Sequence, residues 1–250
     1  MLNILWRNIK WRIQNPIAIL IPLLQPLIWL IIYSAIADQA LQGSGIGNYT
    51  AFMLPGLVVL VTFGASCSGG MMNFIMKSSG SFFRILIAPV SRSSIVLGQM
   101  LESILVSFFE ALILFVVSFL FFSVRISSGI EGFILMIVLI FLVAFFMSGL
   151  AYCISLILPN EVIYETIMTA IVLPIFFMSS ALFPIENLSG WLKVGVMINP
   201  FTHIINALRN LILGETVVFK DILPVILLFI VMCCASFAAA MWRLKKETTH

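Results

Sequence analysis

The sequence predicts an all-α integral membrane protein with six transmembrane helices, and three observations lead there. Of its 250 residues, 62% are hydrophobic and only 9% are charged, against roughly 25% charged in soluble domains. Mean hydropathy is +1.19. The charges gather between long apolar runs, and a hydrocarbon core about 30 Å thick takes roughly 20 helical residues to cross. The runs lie at 17–37, 51–75, 101–123, 132–159, 166–185 and 222–242. No stretch is polar enough to form a separate soluble domain, so residues 1–250 read as one transmembrane domain.

Residues 1–15 carry Arg7, Lys10 and Arg12 among Leu5, Trp6, Ile9, Trp11 and Ile13. This pattern suits a basic interfacial helix with tryptophans at headgroup depth. The apolar run that follows is too long for a signal-peptide core and lacks a small-x-small cleavage site, so the N-terminus is expected to stay in the mature protein. The first span, Ile17 to Ala37, holds Pro22 and Pro26, which predict a kink. Asp38 to Asn48 reads as an exposed turn; Gly43, Gly45 and Gly47 have no lysine after them and no strand before them, which excludes a nucleotide loop.

The second span carries the small-residue run Gly64 to Gly70, a surface another helix can approach closely. Lys77 marks the return to the cytoplasm. Residues 80–98, GSFFRILIAPVSRSSIVLG, are too polar to span and too apolar for a free linker. Arg84 and Arg92 place the segment on the cytoplasmic side, and Phe82, Phe83, Leu86 and Ile87 give it an apolar face, so it should lie at the membrane surface where a soluble partner can push on it. The alternative is a basic loop that only sets topology. The third span is broken by Glu102 and Glu110; Arg125 and Glu131 sit in an outer loop; Glu161 and Glu165 sit in an inner turn before the fifth span, which contains Pro174. Residues 185–221 mix charges with a moderately apolar centre interrupted by Pro200, which predicts a re-entrant or interfacial helical pair on the outer face.

Under this topology Arg7, Lys10, Arg12, Lys77, Arg84, Arg92, Arg243, Lys245 and Lys246 are cytoplasmic, whereas Arg125, Lys193, Arg209 and Lys220 are outside. The asymmetry puts both termini in the cytoplasm. The net charge of +3 therefore speaks for topology, and without a basic stripe with interleaved aromatics no nucleic-acid partner is expected. Cys67, Cys153, Cys233 and Cys234 fall inside apolar runs and read as small packing residues; with only His203 and His250 beside them, no metal site is predicted.

There is no Gly-x-x-x-x-Gly-Lys-Ser/Thr loop, no His-Glu-x-x-His and no Gly-x-Ser-x-Gly, so the sequence predicts no enzymatic chemistry of its own. The polar feature at membrane depth is a stripe on the third span. Ser103, Ser107, Glu110 and Ser118 fall within about 80° of one another at roughly 100° per residue. A carboxyl in hydrocarbon either lines a substrate path, for which Ser103, Ser107 and Glu110 are the candidates, or acts as helix-packing glue. Glu102 is expected to be solvated or paired with Arg92 or Lys77, and His203 to be a buried or interfacial histidine with one hydrogen bond. Asn48-Tyr49-Thr50 and Asn187-Leu188-Ser189 match glycosylation acceptors only as short chance motifs.

YTAFMLPGLVVL (49–60), GSFFRILIAPVSRSSIVLGQML (80–101) and NPFTHIINALRNLILG (199–214) together resemble the permease subunits of the ABC-2 family of ATP-binding-cassette exporters, the drug and lipo-oligosaccharide branch in particular. The resemblance covers nearly the whole chain and implies a type V exporter-like fold. It implies that the loop after span two is a coupling helix docking in a groove of a separate ATPase subunit, with Gly80, Phe82, Phe83, Arg84, Leu86, Pro89 and Arg92 at the contact. Many members carry acidic residues just before and within this loop, where Lys77, Ser78, Ser79 and Phe83 stand here; the ATPase groove should then be less basic than usual, or the docking more apolar. Residues 187–213 become outer re-entrant helices capping the exit of a path between two permease copies, a homodimer or a heterodimer. ATP and Mg would sit on two copies of the ATPase, the membrane would be the cytoplasmic membrane of a bacterium, and export would run by alternating access. The apolar composition of the spans suits an amphipathic or lipid-like cargo such as a drug or antibiotic. A lipid-linked glycan, and an ion-coupled carrier using Glu110 without ATP, are the alternatives.

Overall fold

The computed structural model describes residues 2–40, 49–185, 188–214 and 219–247. All regular structure among them is helical: α1 (Leu2–Gln14), α2 (Ile17–Ala40), α3 (Tyr49–Ser78), α4 (Ser81–Ile87), α5 (Arg92–Phe122), α6 (Gly129–Ile157), α7 (Glu161–Phe177), α8 (Gly190–Ile198), α9 (Pro200–Leu213) and α10 (Phe219–Glu247). Most of the expected glycine-rich turn, including Gly43, Gly45, Gly47 and Asn48, lies outside the described residues, as do Glu186, Asn187, Glu215 and His250.

α3 is the axis of the bundle. In its most apolar stretch 89% of residues are buried, against 22% in α2. Its small residues permit this. A Cβ on Gly70 would lie 2.7 Å from Tyr164 Cζ, and one on Gly69 would lie 2.9 Å from Ser103 Cβ, so α7 and α5 approach to distances that only glycine allows. Polar side chains pin the contacts where hydrocarbon offers no competing partner. Tyr164 donates to the Cys67 carbonyl at 2.9 Å, Asn73 donates to Ser155 Oγ at 3.1 Å, and Ser66 and Ser148 hydroxyls meet at 3.2 Å.

α2, α3, α5, α6 and α10 are long and apolar enough to cross a membrane. The run expected at 166–185 takes a different form. Asn160 caps the N-terminus of α7 by accepting from Ile163 N at 2.9 Å, which moves the helix start to Glu161. At the other end α7 stops at Phe177, and Asn199 Nδ2 donates to the carbonyls of Ile175 (2.7 Å) and Met178 (2.8 Å), satisfying groups the ended helix leaves open. Seventeen residues rise only about 26 Å. Beyond the turn, α8 and α9 form the expected helical pair, split at Pro200, which occupies the first turn of α9 where its missing N–H costs nothing.

Arg209, counted among the outer cations, is buried within the bundle: it donates to the carbonyls of Phe52 (3.0 Å) and Ser180 (2.6 Å) and to Asn206 Oδ1 (2.8 Å), and stacks over the Phe52 ring at 3.7 Å. It staples α9 to α3 because five fixed donors need several acceptors that only the folded bundle assembles.

Candidate functional site

Three features of the bundle could transmit force or hold a ligand. The first is α4. Gly80, in the left-handed region at φ 69°, reverses the chain after α3. Ala88 is extended before Pro89, as the residue ahead of a proline prefers, and ends the helix. Ser91 then accepts from Ser94 N at 3.3 Å and starts α5. The segment 80–98 is therefore not one amphipathic unit: residues 92–98, Arg92 included, open α5. Within α4 the two adjacent phenylalanines diverge. Phe82 is 2% exposed and packs with Ile4, Met76, Val96, Tyr152 and Leu244, whereas Phe83 is 62% exposed. Arg84, Ile87, Pro89 and Arg92 are also exposed, and Leu86 is half-buried. Gly80, Phe82, Phe83, Arg84, Leu86, Pro89 and Arg92 are thus brought to one place, but Phe82 faces the bundle.

Polar contacts link the helices that flank α4. Lys77 pairs with Glu247 of α10 at 3.1 Å and sits 5.4 Å above the Phe82 ring. Arg7 of α1 donates to Asn8 Oδ1 (2.9 Å) and to Met76 Sδ (2.6 Å), and partial burial lowers the pKa of its guanidinium. Glu247 was not anticipated, since its link to Lys77 spans most of the chain; a lone acid after two lysines was its only trace in the sequence.

The second feature is a buried polar seam where α1 crosses α5. Asn8 donates to Gln99 Oε1 at 3.0 Å, and Gln99 donates to the Gly69 carbonyl at 3.4 Å. Four residues on, Arg12 pairs with Glu102 and donates to Ser68 Oγ at 2.9 Å and the Ala18 carbonyl at 3.4 Å. Glu102 is fully buried, so the expected solvated state or pairing with Arg92 or Lys77 gives way to Arg12. The cause is α1 folding back along α5, with Asn8 and Arg12 on the buried face. Above this seam the stripe of Ser103, Ser107, Glu110 and Ser118 is also buried. Ser107 donates to the Ser103 carbonyl at 2.9 Å; neither oxygen of Glu110 has a hydrogen-bond partner among the described residues. His203 is exposed, with Nε2 3.0 Å from the Met197 carbonyl.

The third feature is a cleft of about 420 Å³ with α3 as its floor and α2 and α7 as its walls. Pro22, Pro26, Leu60, Met71, Met168 and Leu173 make it mostly apolar, and Gln25, Ser68, Glu165 and Thr169 add polar groups. Apolar walls with a few polar groups suit an amphipathic ligand. The stripe on α5 contributes nothing to this lining. The sequence offered only a partial signal for the cleft, the Gly64–Gly70 run and the two prolines of α2, because α2 and α7 are distant in the chain.

Residues 1–213 match the sequence profile of the family described as "ABC-2 type transporter". The "Putative transport permease ycf38" of Cyanophora paradoxa is 27% identical over 206 residues, which cover 79% of this chain and 69% of that protein. The "Probable multidrug ABC transporter permease YbhR" of Escherichia coli (strain K12) is 22% identical over 202 residues, 79% of this chain and 54% of its own length. The "Daunorubicin resistance ABC transporter permease protein DrrB1" of Streptomyces coeruleorubidus is 25% identical over 219 residues, 87% of this chain and 76% of its own.

Proposed function

The chain belongs to the ABC-2 type transporter family, and on that premise we propose that it is the permease subunit of an ATP-driven exporter of an amphipathic or lipid-like compound. The observation that carries the reading is α4, a seven-residue helix rooted in the core through Phe82 while it presents Phe83, Arg84 and Ile87 outward. A body pushing on the outward face moves the root, and the root belongs to a buried apolar cluster that draws on α1, α3, α5, α6 and α10. The pushing body is an ATP-binding-cassette subunit in two copies, which carries the ATP and Mg. The end of the bundle bearing α1, α4 and the last turn of α10 faces the cytoplasm, because the basic residues concentrate there.

Two copies of the chain enclose the path, each contributing the cleft between α2, α3 and α7, with α7 completing a sixth crossing through its following turn. The cleft's mixed lining supports an amphipathic cargo taken from the cytoplasm or inner leaflet, and the drug-related names of two relatives support a drug or antibiotic. Its one aromatic, Tyr164, is buried, so the lining offers no row of rings for the sugars of a lipid-linked glycan. The test is reconstitution of the chain with its cognate ATPase in proteoliposomes. ATP hydrolysis should rise with amphiphiles that Thr169→Trp, which fills the cleft, excludes. Cargo movement by the chain alone, without a nucleotide-hydrolysing companion, would overturn the assignment.

A further inference from the structure

We propose that the groove between α4 and the last turn of α10 binds an anionic phospholipid, its phosphate held by Lys77, Arg243 and Lys246. The groove has a volume of about 460 Å³, and those three cations share its lining with Phe82, Phe83, Leu86 and, among the described residues, a single carboxylate, Glu247. Positive charge therefore exceeds negative even with Lys77 and Glu247 paired at 3.1 Å. Arg243 Nε is buried and has no hydrogen-bond partner among the described residues, a donor left over inside a site rich in donors.

The occupant's chemistry follows from where the groove opens. Trp242 is 62% exposed at its rim, with the Arg243 guanidinium 5.8 Å and the Lys246 ammonium 5.7 Å from the ring centroid. A tryptophan flanked by cations marks headgroup depth. From Trp242 the exposed residues Ala238, Ala235, Val231 and Leu227 continue along one face of α10, so an apolar track leads from the charged groove into the hydrocarbon. Phosphate recognition joined to an acyl track describes a lipid, whereas an acidic protein segment would need the charge without the track. Basic pockets at the cytoplasmic ends of spans hold anionic headgroups through the same charge attraction. This inference requires only that the chain spans a membrane and stands apart from the direction or cargo of transport.

The test is native mass spectrometry of the full chain in an uncharged detergent, titrated with phosphatidylglycerol, phosphatidylcholine or inorganic phosphate. Phosphatidylglycerol should be retained in preference to phosphatidylcholine, and Arg243→Gln and Lys246→Gln should each weaken it about fivefold. Glu247→Gln should act in the opposite direction and strengthen binding, a result that damage to the fold would not produce. Equal retention of the two lipids, competition by inorganic phosphate at matched concentration, or unchanged affinity in all three variants would each overturn the proposal. So would variants that keep phosphatidylglycerol yet lose the ATPase subunit, because the groove would then be a site for an acidic protein segment.

Discussion

The buried pair of Arg12 and Glu102 makes a quantitative demand on the fold. Their side chains are 3% and 0% exposed, so solvent does not screen the pair. Arg12→Met strands Glu102, whose Oε2 already lacks a partner among the described residues, and also removes the donors to Ser68 Oγ and the Ala18 carbonyl. Removing one member of a buried ion pair costs about 3–5 kcal/mol, because the remaining charge keeps its desolvation penalty and loses its compensation. Removing both with apolar residues of similar size is close to neutral. The expected pattern is therefore non-additive: Arg12→Met and Glu102→Leu each lose about 3–5 kcal/mol, and the double variant recovers most of it. Equilibrium unfolding of the four proteins in mixed micelles gives the coupling energy directly. Single losses below about 1 kcal/mol that simply add would match an exposed pair and would refute the docking of α1 along α5.

The two phenylalanines of α4 should separate in the same kind of experiment. Phe82→Ala is expected to cost about 3–5 kcal/mol as a core truncation, whereas Phe83→Ser should leave the unfolding midpoint unchanged and lower co-purification of the ATPase. Gly70→Ala should destabilise by about 1–3 kcal/mol through overpacking, since the added carbon would stand 2.7 Å from Tyr164 Cζ and 3.0 Å from the Ala151 carbonyl oxygen; a companion Tyr164→Leu change should relieve part of the loss in thermal melts. Glu110→Leu should raise the midpoint, because both carboxyl oxygens are buried without partners among the described residues and an apolar side chain removes that desolvation cost of about 1–3 kcal/mol. A lowered midpoint would show that Glu110 holds a partner.

Membrane residence and helical class were legible in the sequence because hydrocarbon admits only backbone that satisfies its own hydrogen bonds, and twenty apolar residues in a row leave few ways to do so. Gly80, Pro89 and Ser91 act through local backbone preference, yet residues 80–98 read as one amphipathic segment, and the structure divides them into α4 and the first turns of α5. The stripe of Ser103, Ser107, Glu110 and Ser118 was also readable, as helical periodicity places those residues on one face. Which way that face points was not readable. The sequence is as apolar toward lipid as toward protein, so periodicity cannot tell the buried side of α5 from the side that lines a cleft.

The sequence by itself thus determined that this chain crosses a membrane, that its regular structure is helical, and where along it the basic residues gather. Only the tertiary structure decided that Glu102 meets Arg12, that Arg209 is an internal staple, that Phe82 and Phe83 part company, and that α2 and α7 wall a cleft over α3. The physical reason is range. Composition, capping and backbone preference act within a turn or two of helix, whereas each of these contacts joins residues far apart in the chain and depends on how closely α3's glycines let the other helices approach.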